Sequence, residues 1–396
     1  MHIHLNASTL FNAPLTADDQ AAFGPSVVAD VRRHLAYVPY QKTALHSLPN
    51  LAAALKLRTV LVKDESERSS LGSFKALGGS HAVIRLVIAE ASKRLGYVVQ
   101  PEQLLDPEVA AIAAGLTFTC ATDGNHGRAV ASGARIAGAR SEVFVHSGVS
   151  ASRIAAIEAE GAKVTQTSGN YDDSIAAVND AAFKHGWQVV SDTSWPGYED
   201  VPASVMQGYL VMVDEAIEQA RAAGLAVTHV FLQAGVGGYA AAVAAHLALR
   251  LKEAAPHAIV VEPERASCLY DSAIAGHAKR IEASEPTIMA MLECYEPSTI
   301  AWRILERRAA AFMTIDDSAA IAAITILAKP EGSDRQITSG ESGGAGLAGL
   351  IEASRSGDVY KQLKLDTESV VLVFNTEGAT DRALYEKLIS GEDAPA

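Results

Sequence analysis

The chain has 396 residues, 49% of them hydrophobic and 20% charged, enough for one large domain or two ordinary ones around a substantial core. Its formal net charge of -13 excludes the basic face that a nucleic acid or an acidic membrane would require. No apolar run reaches transmembrane length, three cysteines suit a reducing compartment, and Met1-His2-Ile3-His4 does not open a signal peptide, so a soluble cytoplasmic protein acting on a small molecule is expected.

In chain order, short β-branched runs alternate with alanine-rich stretches. The pattern predicts strands at Thr59–Lys63, Glu142–His146, Lys163–Thr167, Gln188–Ser191, His229–Gln233, Ala258–Glu262 and Val370–Phe374. Helices are predicted at Ser152–Glu160, Asp172–Lys184, Ala203–Ala223 and Tyr239–Lys252. Nearly continuous apolar strands, each followed by a helix, imply buried, mostly parallel sheet in an α/β architecture. The stretch Val98–Gly115 has weak periodicity and reads as an insertion. No repeat or low-complexity linker interrupts the chain. A second domain is therefore expected as an insertion, residues 81–189, within a larger one of residues 1–80 and 190–396.

Lys75 lies in Leu71-Gly72-Ser73-Phe74-Lys75-Ala76-Leu77-Gly78-Gly79, where strand patterning gives way to helix. A lysine among glycines is most often a solvated side chain. Phe74, Leu71 and Leu77 instead surround this one with apolar neighbours, and desolvation favours the neutral amine that attacks a carbonyl. Pyridoxal phosphate is the usual carbonyl for such a lysine.

The segment Ala121-Thr122-Asp123-Gly124-Asn125-His126-Gly127 follows the apolar run Leu116–Ala121 and precedes the helical run Arg128–Gly138. It reads equally well as a turn and as an anion site whose N–H groups suit a carboxylate. A second glycine loop, Gln233-Ala234-Gly235-Val236-Gly237-Gly238, joins a strand to a helix and suits a phosphate. With Glu262 ending the next strand, it also mimics a dinucleotide site with its ribose-binding acid, although the full G-x-G-x-x-G spacing is missing. Ser339-Gly340-Glu341-Ser342-Gly343-Gly344 and Asn375-Thr376-Glu377-Gly378 are two more loops of the kind that binds ligands at strand ends. His2 and His4 form only a superficial metal pair, and no HExxH or Cys-x-x-Cys frame supports a metal.

These segments, in this order, resemble the fold-type II pyridoxal-phosphate enzymes, and within them the diaminopropionate ammonia-lyases. The resemblance also includes Val62–Ser66, Asn170-Tyr171-Asp172-Asp173, Ser191-Asp192-Thr193, Met206-Gln207-Gly208-Tyr209 and Val261-Glu262-Pro263. It implies two open, twisted, mostly parallel sheets with pyridoxal phosphate in the cleft between a large and a small domain. It makes Lys75 the Schiff-base lysine and sets Asn125 on the ring hydroxyl. Gly235, Val236, Gly237 and Gly238 take the phosphate, with Glu341 among the cofactor contacts. Thr376, or the neighbouring Asn375, takes the ring nitrogen. Ser73, Thr122, Asp123, Gly124, His126, Tyr171 and Asp192 are implied to meet the substrate. Asp123 is the implied base for a D-isomer and Asp192 a carboxylate near the substrate's distal amine.

The implied activity is carbon–nitrogen β-elimination from 2,3-diaminopropionate, giving pyruvate and ammonia, in a homodimer. A hydroxyl at the ring nitrogen makes the ring a weaker electron sink than an aspartate would, which favours prompt loss of the β-substituent. A serine/threonine-type dehydratase is the competing expectation on the same fold. A catalytically silent amino-acid sensor and an NAD-dependent oxidoreductase are more distant ones. The chain departs from the family at Gly72-Ser73, where Pro-Ala or Asn-Ala is usual and where a serine is the dehydratase habit. It departs again at Met291 and Tyr295, where glycines are common. Cys268 and Cys294 fall where the family carries cysteines, implying a disulfide or a close thiol pair, and Cys120 reads as core.

Overall fold

The computed structural model describes residues 1–391 apart from Asp123, Asn170 and Ser284, and excludes the side chains of Tyr171 and Asp172. The strands are β1 (His2–Leu5), β2 (Leu45–Ser47), β3 (Thr59–Asp64), β4 (Thr117–Ala121), β5 (Arg140–Val145), β6 (Lys163–Gln166), β7 (Gln188–Val189), β8 (His229–Gln233), β9 (His257–Pro263), β10 (Ala309–Ile315) and β11 (Val370–Asn375). Chain contacts divide the molecule into two compact units. One comprises Met1–Pro25, Gln41–Arg68 and Met212–Ala396; the other comprises Ser26–Tyr40 and Ser69–Val211.

The first unit is built on a seven-stranded sheet of order β1-β10-β9-β8-β11-β3-β2. Its five inner strands are parallel, and β1 and β2 close the edges antiparallel. Every residue of β3, β8 and β11 is buried, as expected of strands covered on both faces. Val60, Val62, Phe231, Ile259, Val261, Val371 and Val373 form its core with the helices at Asp317–Ala328 and Ala345–Arg355. β10 escaped the sequence reading because three alanines open it, and its Ala309-Ala310-Ala311 start carries no β-branched signature. The His2/His4 segment is edge strand β1, pairing His2 with Thr314.

The second unit carries a four-stranded, all-parallel sheet of order β6-β5-β4-β7. Helix α1 (Lys75–Leu95) packs against α2 (Asn125–Ala137) and α3 (Asp200–Gly208). The approach is close enough that a Cβ on Gly79 would lie 2.7 Å from the Ala129 Cβ, and one on Gly133 2.8 Å from the Ser80 Cα. These contacts move the expected boundary. A cut at residue 81 would sever α1, so the lysine helix goes wholly with the smaller sheet, as does α3 beyond residue 189. Residues 26–40 join them because His34 packs edge-on against His81, with ring centroids 5.2 Å apart.

The single helix expected over Ala203–Ala223 is two, Asp200–Gly208 and Leu210–Ala222, and the expected insertion contains a short helix at Pro107–Ala113. No helix among the described residues is long and apolar enough to cross a membrane.

Candidate active site

Lys75 is the first residue of α1. The Ser73 hydroxyl, fully buried, accepts the Lys75 backbone N–H at 3.2 Å and so helps to start the helix. Lys75 Nζ lies 2.6 Å from Asp192 Oδ2, in the loop after β7. Burial alone would raise the Asp192 pKa, but the Lys75 ammonium outweighs it and holds the carboxyl well below the usual carboxylate range. The pair is only partly buried.

Tyr209, in the Met206-Gln207-Gly208-Tyr209 motif, lies at the site although it is not among the expected site residues. It is buried, its ring centroid lies 4.6 Å from that of Phe74, and its hydroxyl is close to Lys75. Gly78 makes room for it, since a Cβ there would come within 2.5 Å of the tyrosine ring. Burial pushes the phenol up to about 12, so it stays neutral.

In the loop between β4 and α2, the Thr122 hydroxyl accepts the N–H groups of Gly124 and Gly127, each at 3.1 Å. Those two bonds curl the chain so that Asn125, buried, begins α2. His126 Nε2 is 2.7 Å from the Val190 carbonyl, which can only accept, so the proton sits on Nε2. Its Nδ1 is a buried acceptor with no partner among the described residues, and burial lowers the ring's pKa. Asp123, expected on this loop, lies outside the described residues, as does the Tyr171 side chain.

The glycine loop belongs to the other unit and follows β8. Gly237 has φ +91°, a region glycine adopts freely, and a Cβ there would lie 2.9 Å from Leu269 Cδ1 and 3.0 Å from the Ala301 Cβ. A Cβ on Gly235 would lie 2.8 Å from Cys294 Sγ. The Val236 carbonyl accepts from Ser298 N–H at 2.9 Å, and Gly238 opens helix α4 (Gly238–Leu251). A glycine-rich loop leading into a helix N-terminus is a cradle for a phosphate, so the loop fits pyridoxal phosphate.

Gln233, at the end of β8, places Nε2 among three acceptors that share its two N–H groups: the Gly343 carbonyl (2.8 Å), the Phe374 carbonyl (3.0 Å) and Thr376 Oγ1 (2.9 Å). Asn375 is engaged elsewhere, donating to Asp64 Oδ1 at 2.8 Å and to the Thr338 carbonyl at 2.9 Å. Glu341 is buried on the facing loop.

Glu262 does not suit the dinucleotide alternative. Its two carboxylate oxygens accept the Leu269 and Tyr270 N–H groups, at 2.8 and 2.7 Å, at the start of α5 (Cys268–Ala275). Fully buried and turned onto the start of a helix, Glu262 is not presented to a ribose. Cys268 and Cys294 flank Gly235 and are not joined by a disulfide; Cys268 Sγ lies 3.8 Å from the Gly235 carbonyl. Cys120 is buried in β4. Of the two departures, Met291 N–H donates to Ser342 Oγ at 3.2 Å and the Tyr295 hydroxyl to Glu293 at 2.7 Å.

A family model described as pyridoxal-phosphate dependent enzyme matches residues 38–376. The diaminopropionate ammonia-lyase of Escherichia coli (strain K12) is 38% identical over 360 residues, 90% of this chain and 89% of the relative. The crystal structure of the Escherichia coli enzyme in complex with D-serine superposes with a TM-score of 0.88 at 35% identity, covering 99% of this chain and 97% of that one. A threonine deaminase isoform from Solanum lycopersicum shares the fold, with a TM-score of 0.72 at 17% identity, covering 98% of this chain and 92% of that one.

Proposed function

Because the chain belongs to the pyridoxal-phosphate dependent enzyme family, we propose that it is a carbon–nitrogen lyase converting 2,3-diaminopropionate, in its L and D forms, to pyruvate and ammonia. The observation that carries the substrate is the ionised Asp192 carboxylate 2.6 Å from Lys75. An amino acid with a second ammonium needs such a carboxylate; a hydroxy amino acid does not.

Bound pyridoxal phosphate supplies an electron sink that makes the α-proton of an attached amino acid labile. Lys75 would hold the cofactor through its amine, Asn125 its ring hydroxyl, and Gly235, Val236, Gly237 and Gly238 its phosphate. Thr376 is the better donor to the ring nitrogen, because both N–H groups of the Asn375 amide are already committed to Asp64 and Thr338. Lys75 Nζ then takes the α-proton of the L-isomer and Asp123 that of the D-isomer. Asp192 keeps the β-nitrogen protonated, so the breaking C–N bond delivers its electron pair to nitrogen and neutral ammonia departs. His126 presents its bare Nδ1 as an acceptor for a substrate N–H. We place this enzyme in the cytoplasm as a homodimer, which sedimentation of the purified protein checks.

The test is pyruvate and ammonia release from L- and D-2,3-diaminopropionate, with L- and D-serine and L-threonine alongside. Turnover of both diaminopropionate isomers ahead of the others is expected. Consumption of the hydroxy amino acids alone would move the assignment to a dehydratase. Cofactor absorbance without product would indicate a sensor, and failure to bind cofactor would overturn the proposal.

A further inference from the structure

We infer that Tyr198 is a positioning residue: its hydroxyl holds Asp192 where that carboxylate meets the substrate's distal ammonium, and so favours a diamino over a hydroxy amino acid. The inference rests on the reading that Asp192 receives that ammonium.

Asp192 follows β7, an edge strand whose inner side pairs with β4. On that side the Val190 N–H donates to the Thr119 carbonyl at 2.8 Å, and the Val190 carbonyl accepts from His126. Among the described residues no further strand pairs with the outer side. The Tyr198 hydroxyl takes that place. It donates to the Val189 carbonyl at 2.8 Å and accepts the Ser191 N–H at 3.1 Å. One phenol supplies one donor and one acceptor, the two kinds of bond that a neighbouring strand would make there. The chain is therefore tied at Val189, Val190 and Ser191, the three residues that lead into Asp192.

The segment Trp195-Pro196-Gly197-Tyr198 brings the ring to this spot. Proline followed by a glycine of positive φ, here +87°, suits the two central positions of a type II turn. The Tyr198 N–H reaches the Trp195 carbonyl across the turn at 2.9 Å. The two rings stack with centroids 4.2 Å apart and planes at 14°. Burial pushes the phenol's pKa up, so the hydroxyl keeps its proton and both bonds persist.

Lys75 cannot replace this clamp. In the loaded enzyme its amine is committed to the cofactor and then to the α-proton, so the ion pair no longer places the carboxylate. The main chain before Asp192 carries that task, and Tyr198 is what fixes its outer side.

The experiment measures kcat and KM for L-2,3-diaminopropionate and L-serine in the cofactor-loaded wild type, Tyr198→Phe, Asp192→Asn and the double variant. Phenylalanine keeps the ring on Trp195 and removes only the hydroxyl. The ratio of kcat/KM for diaminopropionate over L-serine is expected to fall about tenfold in Tyr198→Phe, mainly through KM. Added to Asp192→Asn, the same change should lower the ratio no further, because it acts through that carboxylate. Hydrogen exchange at the Ser191 amide, followed by mass spectrometry of its peptide, should quicken in Tyr198→Phe. A Ser191 amide that exchanges freely in the wild type overturns the inference without recourse to any variant. An equal fall of the ratio in both backgrounds assigns Tyr198 a general structural role and also overturns it. A ratio lowered by Asp192→Asn but not by Tyr198→Phe removes Tyr198 from the role. A ratio indifferent to Asp192→Asn shows instead that the underlying placement of Asp192 is wrong.

Discussion

Asp192 and Lys75 form an ion pair of 2.6 Å across 117 positions of sequence, joining the loop after β7 to the first residue of α1. A carboxylate so placed is held ionised by the lysine, and a substrate that displaces the lysine's charge must supply its own cation. Asp192→Asn is therefore expected to lower kcat/KM for diaminopropionate by roughly 10- to 150-fold, the equivalent of one charge-assisted hydrogen bond of about 1.5–3 kcal/mol. Turnover of L-serine should fall much less, and the ratio of the two rates is the measurement. Because the folded pKa is depressed, the pair's contribution is complete above the ordinary aspartate value and is lost only as pH falls through the folded one. Loss of activity in mild acid should accordingly persist in Asp192→Asn.

Lys75→Ala removes the group proposed to bond the cofactor's aldehyde. Dialysed protein should lose the visible absorbance of the lysine-bound cofactor, and pyruvate release should drop at least about 10²–10⁴-fold. Absorbance retained after dialysis would assign the linkage to another lysine.

Gly237→Ala combines a strained φ of +91° with collision against Leu269 and Ala301. Cofactor affinity, followed by spectroscopic titration of apoprotein, is expected to weaken by about tenfold or more, roughly 1.4 kcal/mol. Gly276→Ala is the control, since its φ is also positive, +74°, but nothing lies within 4 Å of the added methyl. It should cost a little stability and leave the affinity unchanged.

Beneath β3, Lys63 and Arg68 are fully buried and share Glu215, each at 2.8 Å, while Arg68 also pairs with Glu65 at 2.7 Å. Glu215→Leu leaves two buried cations with one carboxylate. Unfolding in urea should show a loss of about 3–5 kcal/mol.

Burial pushes the Glu262 carboxyl up to about 8, against the pull of the Leu269 and Tyr270 N–H groups. The folded state then holds a proton that the unfolded chain releases. The stabilisation is full below the ordinary glutamate pKa and is lost as pH rises through about 8. Melting temperature should fall across that window in the wild type, and the slope should flatten in Glu262→Gln. An unchanged slope would assign the pH dependence to another group.

Much of the fold was legible because its signals are local. β3, β8, β9 and β11 match expectation within a residue or so of their observed ends, since strands buried on both faces are apolar along most of their length. The shorter β7 ends at Val189, two residues before the expected Ser191. Edge strands β1 and β2 were missed because half-exposed strands of three or four residues carry too little pattern. The helix expected through residue 223 breaks at Gly208, where the backbone presses against Leu77, a contact made with a helix more than a hundred residues earlier.

The sequence by itself determined the chemical inventory: a lysine at a strand-to-helix junction, a glycine loop entering a helix, a serine–aspartate–threonine turn and a hydroxyl after the last inner strand. These are properties of a few adjacent residues, and adjacency is what a sequence records. Only the tertiary structure decided which of these groups are still available. The Asn375 amide nitrogen is spent on Asp64, 311 positions away; Glu262 caps a helix; Asp192 finds Lys75. A polar atom's role depends on which partner reaches it first when water is excluded, and that is settled by packing between distant segments.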